Sequence, residues 1–200
     1  MQPPLSFPCL RLTLPSEDVN GFASLLQHGI LVPVDQAVAL IPFLLLLPGF
    51  TAGYIENTVQ TIFINGVAAD SLERSLPAGS TLALSAAMPG LAGAIFRRQG
   101  VHGSLRSQPV AMAKPSAPAC GFITLKLFNS IAVDRIGDLL PRGILVTGKT
   151  FHDFAAKREH LFRPPAELSL VDQTLEYAEL LHTVAALPVL MVSADLLPER

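Results

Sequence analysis

The residue pattern with the most definite chemistry lies at Gly143–Thr150, which reads Gly-Ile-Leu-Val-Thr-Gly-Lys-Thr. The two glycines, followed by lysine and threonine, satisfy the pattern of nucleotide-binding P-loops. In such a loop, backbone N–H groups and the lysine hold phosphates, and the hydroxyl binds magnesium. The pattern offers Gly143, Gly148, Lys149 and Thr150 as the site of a small nucleotide hydrolase.

The residues between those two glycines favour a different structure. Ile-Leu-Val-Thr is apolar and largely β-branched, which suits a buried strand better than a loop around phosphates. The segment Gly29–Val34 begins with the same Gly-Ile-Leu-Val and has no Gly-Lys-Thr. A strand is therefore the preferred interpretation, and the P-loop is its alternative.

A second candidate site is the segment that carries Arg97, Arg98, His102 and Arg106. No acidic residue occurs at positions 75–113, and several glycines expose backbone N–H groups. Guanidinium groups and free amides hold anions well, so the segment suits an anionic ligand or the acidic patch of a partner. The alternative is a solvated loop whose arginine stems lie along the surface.

The remaining titratable residues show no spacing typical of a metal or catalytic site. His152 and His160 fall on one predicted helix, but they are not at the i, i+3 or i, i+4 spacing of metal ligands. Cys9 and Cys120 are too few for a disulfide framework, which fits a reducing compartment. We predict no metal, no cofactor and no catalytic residue set.

Composition restricts the class of protein. Half of the 200 residues are hydrophobic and 15% are charged, enough to bury one sizeable core or two small ones. A net charge of −2 without a basic region argues against nucleic-acid binding. The apolar run Ala37–Phe50 is interrupted by Pro42 and Pro48 and is too short for a membrane span. The N-terminal residues lack the pattern of a secretory signal, so we predict a cytoplasmic location without membrane association.

An internal similarity relates the two halves of the chain. Leu10–Val32 resembles Ile123–Val146 with one residue inserted, and both contain Gly-Ile-Leu-Val. Each copy begins with alternating apolar residues, continues through a helical or irregular segment, and reaches a second strand opened by glycine. The shared tetrapeptide favours a duplication, although any two strand-turn-strand units share part of this pattern.

The element order of the first half predicts its architecture. Strands are expected at 10–14, 30–34, 61–64, 67–69 and 81–86. A helix is expected at 36–47, with Asp35 as its N-cap and Pro48 as its stop. An Asn-Gly pair, typical of tight turns, joins the third and fourth strands. This order over residues 10–94 predicts a mixed sheet folded over one helix, which is the β-grasp (ubiquitin-like) architecture.

The complete prediction is an α+β protein with two small domains. Residues 1–106 form the β-grasp-like domain with a C-terminal loop. Residues 107–120 are rich in Pro, Ala and Ser and are expected to be a linker. Residues 121–200 form a second small α+β domain, for which the internal similarity suggests a diverged duplicate.

Three short motifs near the end of the first domain carry a resemblance. They are the Asn-Gly turn after a strand at Ile64–Gly66, the Leu-Pro-Ala-Gly turn and strand at Leu76–Leu84, and Leu-Ala-Gly-Ala at Leu91–Ala94. Together they resemble the second half of the β-grasp sulfur carriers, namely the small subunit of molybdopterin synthase and the carrier of the thiamine pathway. The resemblance covers residues 10–94.

The resemblance implies a carrier tail at Gly90 and Gly93. In that family a partner enzyme activates the C-terminal glycine carboxylate with ATP and converts it to a thiocarboxylate. Glycine suits the role because a tail without Cβ can enter a narrow channel. Here Ala94 follows Gly93 and the chain continues to Arg200, so the carrier role requires a cut after Gly93.

The leading functional prediction is a non-catalytic β-grasp protein that resembles the sulfur carriers of cofactor biosynthesis. It would act by binding a partner or, if cut after Gly93, through a C-terminal thiocarboxylate. The resemblance implies an activating enzyme or a synthase subunit as the partner, and a homodimer is also open. The alternatives are an anion-binding or scaffold module and a small P-loop nucleotide hydrolase.

Overall fold

Alternating apolar residues form the longer strands of this chain, and its longer helices are amphipathic. A computed structural model describes residues 6–87, 90–98 and 121–198. The strands are β1 (Cys9–Pro15), β2 (Ile30–Val34), β3 (Val38–Ala39), β4 (Thr61–Ile64), β5 (Val67–Ala68), β6 (Ser75–Leu76), β7 (Thr81–Ser85), β8 (Gly121–Phe128), β9 (Ile144–Val146), β10 (Glu167–Leu170), β11 (Gln173–Thr174) and β12 (Leu190–Leu197). The helices are α1 (Ala23–His28), α2 (Leu40–Leu45), α3 (Ala52–Asn57), α4 (Gly90–Phe96), α5 (Ser130–Leu139), α6 (Gly148–Ala155) and α7 (Tyr177–Ala185). The predicted α+β class is confirmed.

The chain forms two compact units, one of which is discontinuous in sequence. Unit 1 consists of Met1–Ile30 and Ile136–Arg200, and unit 2 consists of Leu31–Arg135. Residues 99–120, which include the predicted linker, lie outside the described residues. The division into domains 1–106 and 121–200 therefore stays a prediction.

The described residues of unit 1 include strands in the order β11-β10-β1-β12-β9. The first strand of the chain, β1, runs parallel to β12 and antiparallel to β10. Leu10, Leu12 and Leu14 of β1 are fully buried, as their alternation predicts, and Arg11 between them is exposed. Each fully buried leucine contributes roughly 1.5–3 kcal/mol relative to an exposed one.

The core of unit 1 includes a cluster of four phenylalanines. Phe22 precedes α1, and the other three come from α6 and the turn after it; neighbouring ring centroids are 5.4 to 6.3 Å apart. The members are Phe22, Phe151, Phe154 and Phe162. Helix α6 packs against both α1 and α7.

Unit 2 contains strands in the order β2-β8-β7-β4-β5, together with a short antiparallel pair, β3-β6. At its centre β7 runs parallel to β8 and antiparallel to β4. The tight turn predicted between β4 and β5 is confirmed, since Asn65 and Gly66 have φ angles of 52° and 78°. Such positive φ values are the reason for the Asn-Gly preference at this kind of turn.

The predicted helix at 36–47 is wrong in its extent. Val38 and Ala39 form β3 and pair with β6, so helix α2 begins only at Leu40. Pro42 then falls in the first turn, where its missing N–H has no intrahelical acceptor to lose. A helix that began at residue 36 would have placed Pro42 in its interior, and Asp35 consequently does not cap α2.

Both copies of the internal similarity have the predicted local structure. In the first copy β1 is followed by a 3-10 turn and α1, and in the second β8 is followed by α5 and a 3-10 turn. Gly29 (φ 117°) then opens β2, and Gly143 (φ 89°) opens β9. The strand-helix-glycine-strand pattern is confirmed in each copy, whereas their origin by duplication stays a prediction.

Candidate functional site

The segment that resembles a carrier tail forms helix α4 in unit 2. The helix begins at Gly90 (φ 75°), and Gly93 within it is buried. The Gly93 carbonyl accepts a hydrogen bond from the backbone N–H of Arg97 at 3.0 Å. At the end of α4 the ring of Phe96 lies 5.3 Å from the ring of Phe63 in β4. Gly90 therefore stands at the start of this helix, and Gly93 is held inside it.

Arg98 caps the C-terminal end of α3. Its Nη2 donates to the carbonyl of Ile55 at 3.1 Å and, at the longer distance of 3.5 Å, to that of Glu56. Its backbone N–H donates to the Gln60 carbonyl at 2.7 Å. The last carbonyls of a helix have no intrahelical donor, and a cation is favourable there. The guanidinium of Arg98 therefore has a structural task.

The charge around Arg98 is mixed. Burial lowers the pKa of its guanidinium, and the carboxylates of Glu56 and Asp70 oppose this shift. Two cavities of about 290 and 300 Å³ lie beside the guanidinium, and Glu56 lines both. A carboxylate at that position repels an anion that would approach Arg98.

The four residues predicted as an anion- or partner-binding set are described only in part. Arg97 is exposed and lines the smaller of the two cavities together with Arg98. His102 and Arg106 lie outside the described residues. The structure brings Arg97 and Arg98 next to the predicted tail glycines, Gly90 and Gly93, within α4 and the turn after it.

The P-loop-like segment lies in unit 1 as a strand that leads through one residue into a helix. Ile144–Val146 is β9, Thr147 is the N-cap, and α6 begins at Gly148. A Cβ on Gly148 would stand 2.2 Å from the carbonyl oxygens of Val184 and Leu187. Close packing of backbone against α7 thus requires glycine here.

The lysine and threonine of that segment bond to neighbouring side chains. Lys149 Nζ lies 2.7 Å from Asp153 Oδ2, an exposed i, i+4 ion pair. The Thr150 N–H donates to Thr147 Oγ1 at 3.1 Å, and the two hydroxyls are 2.8 Å apart. The hydrogen bond from Lys149, followed by that with His152, lowers the pKa of the Asp153 carboxyl.

A contact that the sequence did not reveal joins α3 to α5 in unit 2. The Tyr54 hydroxyl donates to Asp134 Oδ2 at 2.8 Å, and the Arg135 guanidinium lies 4.3 Å from the centre of the Tyr54 ring. Arg135 Nη1 also donates to the Gly49 carbonyl. Burial, and next the hydrogen bond with Asp134, raise the pKa of the Tyr54 phenol above 10.0. Partners 80 positions apart leave no local sequence signal.

An open cleft of about 460 Å³ in unit 1 is a second feature missed from the sequence. Its lining includes the polar side chains of Cys9, Arg11, Ser169 and Asp172. The half-buried Cys9 Sγ lies 3.9 Å from Ser193 Oγ. The β10–β11 turn beside it holds a valine and an aspartate at positive φ, which is uncommon for valine.

Two exposed leucines stand at the end of α2 in unit 2. Leu46 is 82% exposed and Leu45 is 46% exposed. Charged side chains are missing from the sequence around them, since positions 36–55 contain none. This leucine pair is an apolar feature that an isolated folded chain leaves in water.

In residues 6–87, 90–98 and 121–198 no three His, Cys, Asp or Glu side chains are grouped so as to hold a metal ion. Within those ranges no helix has the length and hydropathy needed to cross a bilayer.

Comparisons with known proteins identify no relative. The sequence matches no family model, and no curated protein or solved structure has significant similarity to it. The geometry groups Gly90, Gly93, Arg97 and Arg98 in unit 2, and it places the P-loop-like residues in unit 1.

Proposed function

We propose that the chain is a non-catalytic β-grasp-like protein that acts by binding another protein. The observation that carries the proposal is the exposed pair Leu45 and Leu46 at the end of α2. The family resemblance of residues 10–94 supports it, because sulfur carriers act through protein partners. Unit 2 is the part that binds.

The strand arrangement of unit 2 supports the β-grasp assignment. In a β-grasp sheet a parallel pair lies at the centre and antiparallel strands flank it. In unit 2 the parallel pair is β7 with β8, and β4 and β5 follow in antiparallel order. The strand beside β7 comes from the second half of the chain, so the assignment applies to unit 2 and not to residues 10–94 alone.

The leucine pair indicates the chemistry of the partner. Burying one leucine side chain on association contributes roughly 1.5–3 kcal/mol. A charged partner surface would lose its hydration against this uncharged stretch and gain no ion pair in return. We therefore expect an apolar patch or groove on the partner, with Leu46 at the centre of the contact.

The bonding partners of Arg98 and Lys149 favour protein binding over an anion-binding module and a P-loop hydrolase. Arg98 donates to helix carbonyls beside a carboxylate, which opposes an anion site. Lys149 is paired with Asp153, and β9 occupies the place of a phosphate loop. Both cations already have partners within the chain.

The uncut chain is the form that we propose to bind the partner protein. Carrier chemistry needs a free glycine terminus, and Gly93 is buried inside α4. Intact-mass analysis of the protein from its native cell separates the two modes. We expect the full-length mass alone. A fragment that ends at Gly93, heavier by the difference between sulfur and oxygen, would replace the proposal with the carrier mode.

Site-specific crosslinking tests the binding surface. A photo-crosslinking amino acid at position 46 should give one discrete adduct with another protein in the native cell, and the substitution Leu45→Glu should abolish it. With the purified pair, Leu45→Glu should weaken binding at least about 10-fold, because one buried leucine contact is lost and a charge is desolvated.

A matched control uses another exposed apolar residue. Val171 in unit 1 is 63% exposed, so crosslinker at position 171 should give no adduct, and the variant Val171→Glu should leave both the adduct from position 46 and the affinity unchanged. An adduct of two copies of this chain, equal adducts at both positions, or no adduct at position 46 would each refute the proposal.

A further inference from the structure

The N-terminal segment of the chain is built into a sheet of the second half. Strand β1 lies between β10 and β12, with Leu12 opposite Leu168 on one side and Ala194 on the other. At its start the Cys9 carbonyl accepts from the Val171 N–H at 3.0 Å. Among the described strands of the first half, β1 is the one that lies wholly in unit 1.

The helical part of the same segment is equally embedded. Phe22 is fully buried, and its ring lies 5.4 Å from that of Phe154 and 5.8 Å from that of Phe162. A Cβ on Gly21 would stand 2.7 Å from the side chain of Leu161, so backbone from the first half touches the second half directly. We name residues 9–28 the first exchanged segment.

The opposite exchange occurs in unit 2. Strand β8, from the second half, runs parallel to β7, with Leu125 opposite Leu82. The Gly79 N–H donates to the Phe122 carbonyl at 2.8 Å, and Asn129 Nδ2 donates to Ser85 Oγ at 2.8 Å. The hydrogen bond from Tyr54 of α3 to Asp134 of α5 is a further contact between the two halves. We name residues 121–135 the second exchanged segment.

The exchanged segments begin at equivalent positions of the internal similarity. Leu10, Leu12 and Leu14 of β1 match Ile123, Leu125 and Leu127 of β8, and all six are fully buried. Each strand lies parallel to the last described strand of the other half, β1 beside β12 and β8 beside β7. Each half therefore pairs the edge of its last described strand with the corresponding strand of the other half.

We infer that the two halves of the chain, residues 1–106 and 121–200, bind each other through these exchanged segments and stay assembled when the connection between them is cut. Each half is the partner of the other, and the interface is continuous sheet and core. The inference does not rest on the proposed function. It does mean that a cut after Gly93 leaves a two-chain complex rather than a free carrier.

A cleavable full-length chain tests this inference. A specific protease site flanked by flexible Gly-Ser residues is inserted between Ala113 and Lys114, and the folded protein is cut to completion. Native mass spectrometry and size exclusion at micromolar concentration should show one 1:1 complex with the mass of the uncut chain. Two separately eluting fragments, or precipitation on cutting, would overturn the inference.

Dilution provides an independent measurement. Unfolding of the cut complex releases two chains, so its urea midpoint should fall with each tenfold dilution, whereas the midpoint of the uncut chain should not move. A midpoint of the cut protein that is independent of concentration would mean that the halves are not holding each other.

Two variants locate the interface. Phe22→Ala should weaken assembly of the cut chain at least about 100-fold, because a buried aromatic is lost from the shared cluster. If that variant does not fold, Phe22→Leu should weaken assembly in the same direction by less. The control Gln27→Ala, at an exposed position of α1, should leave assembly unchanged. Equal assembly of the Phe22 and Gln27 variants would contradict an interface at the first exchanged segment.

Discussion

Replacing Gly148 with alanine tests whether this glycine of the P-loop-like segment serves packing. The added Cβ would stand 2.2 Å from the carbonyl oxygens of Val184 and Leu187. Both are backbone atoms, so no side-chain rotation relieves the overlap. In an open helix the change from Gly to Ala stabilises by roughly 0.5–1 kcal/mol, and overpacking costs roughly 1–3 kcal/mol or more. We expect the overlap to prevail, with a net loss of about 2 kcal/mol.

The measurement is urea unfolding followed by far-ultraviolet circular dichroism, supported by thermal unfolding. A loss of about 2 kcal/mol corresponds to a midpoint lower by roughly 4–8 °C for a protein of this size. Gly137→Ala in α5 is the matched control, since nothing lies within 4 Å of its added Cβ. That variant should be more stable by roughly 0.5–1 kcal/mol. One added methyl group therefore has opposite effects at the two helical positions.

The result that would refute the close packing is a Gly148→Ala protein as stable as the wild type or more stable. If the segment were a phosphate loop, the same variant would keep its stability and lose nucleotide binding instead. Measuring both properties on one sample separates packing from ligand binding.

Substitutions at three further positions test single hydrogen bonds. Tyr54→Phe should cost about 0.5–1.5 kcal/mol by removing the bond to Asp134. Because the folded phenol has a raised pKa, this contribution is present below pH 10 and lost at higher pH, so unfolding at pH 8 and pH 11 should show a shrinking difference from wild type. Thr147→Ala should cost about 1 kcal/mol through loss of the N-cap, and Thr147→Ser should retain most of it. Lys149→Ala should raise the pKa of the Asp153 carboxyl, measured by an NMR pH titration.

Local structure was predictable where local rules determine it. Strand β4 and its Asn-Gly turn lie where the sequence predicts them, because β-branched residues and positive φ angles are decided within a few positions. The start of the helix before Pro48 was harder to predict, because Pro42 is compatible both with the first turn of a helix and with a break in a helix. The pairing of β3 with β6, distant in sequence, set where that helix begins.

The arrangement of strands was not predictable from the same rules. Alternating leucines determine which face of β1 is buried, but they do not specify its neighbours. Strands β1 and β8 have the same apolar pattern, so the sequence alone cannot distinguish pairing within a half from exchange between halves. Helix α4 of the candidate site was not predictable for the same reason. It is stabilised by a ring contact between Phe96 and Phe63, which its glycine-rich sequence does not indicate.

The exchange changes what a cut after Gly93 would produce. The new terminus would leave α4, yet β7 would remain paired along its length with β8 of the other fragment, Thr81 through Ser85 opposite Thr124 through Phe128. Releasing a free carrier would expose the buried leucines of both strands to water, at roughly 1.5–3 kcal/mol each. Any thiocarboxylate would therefore be carried by the assembled pair, with the second half in place as a permanent partner, and the surface offered to a third protein would be the same leucine pair of α2 as in the uncut chain.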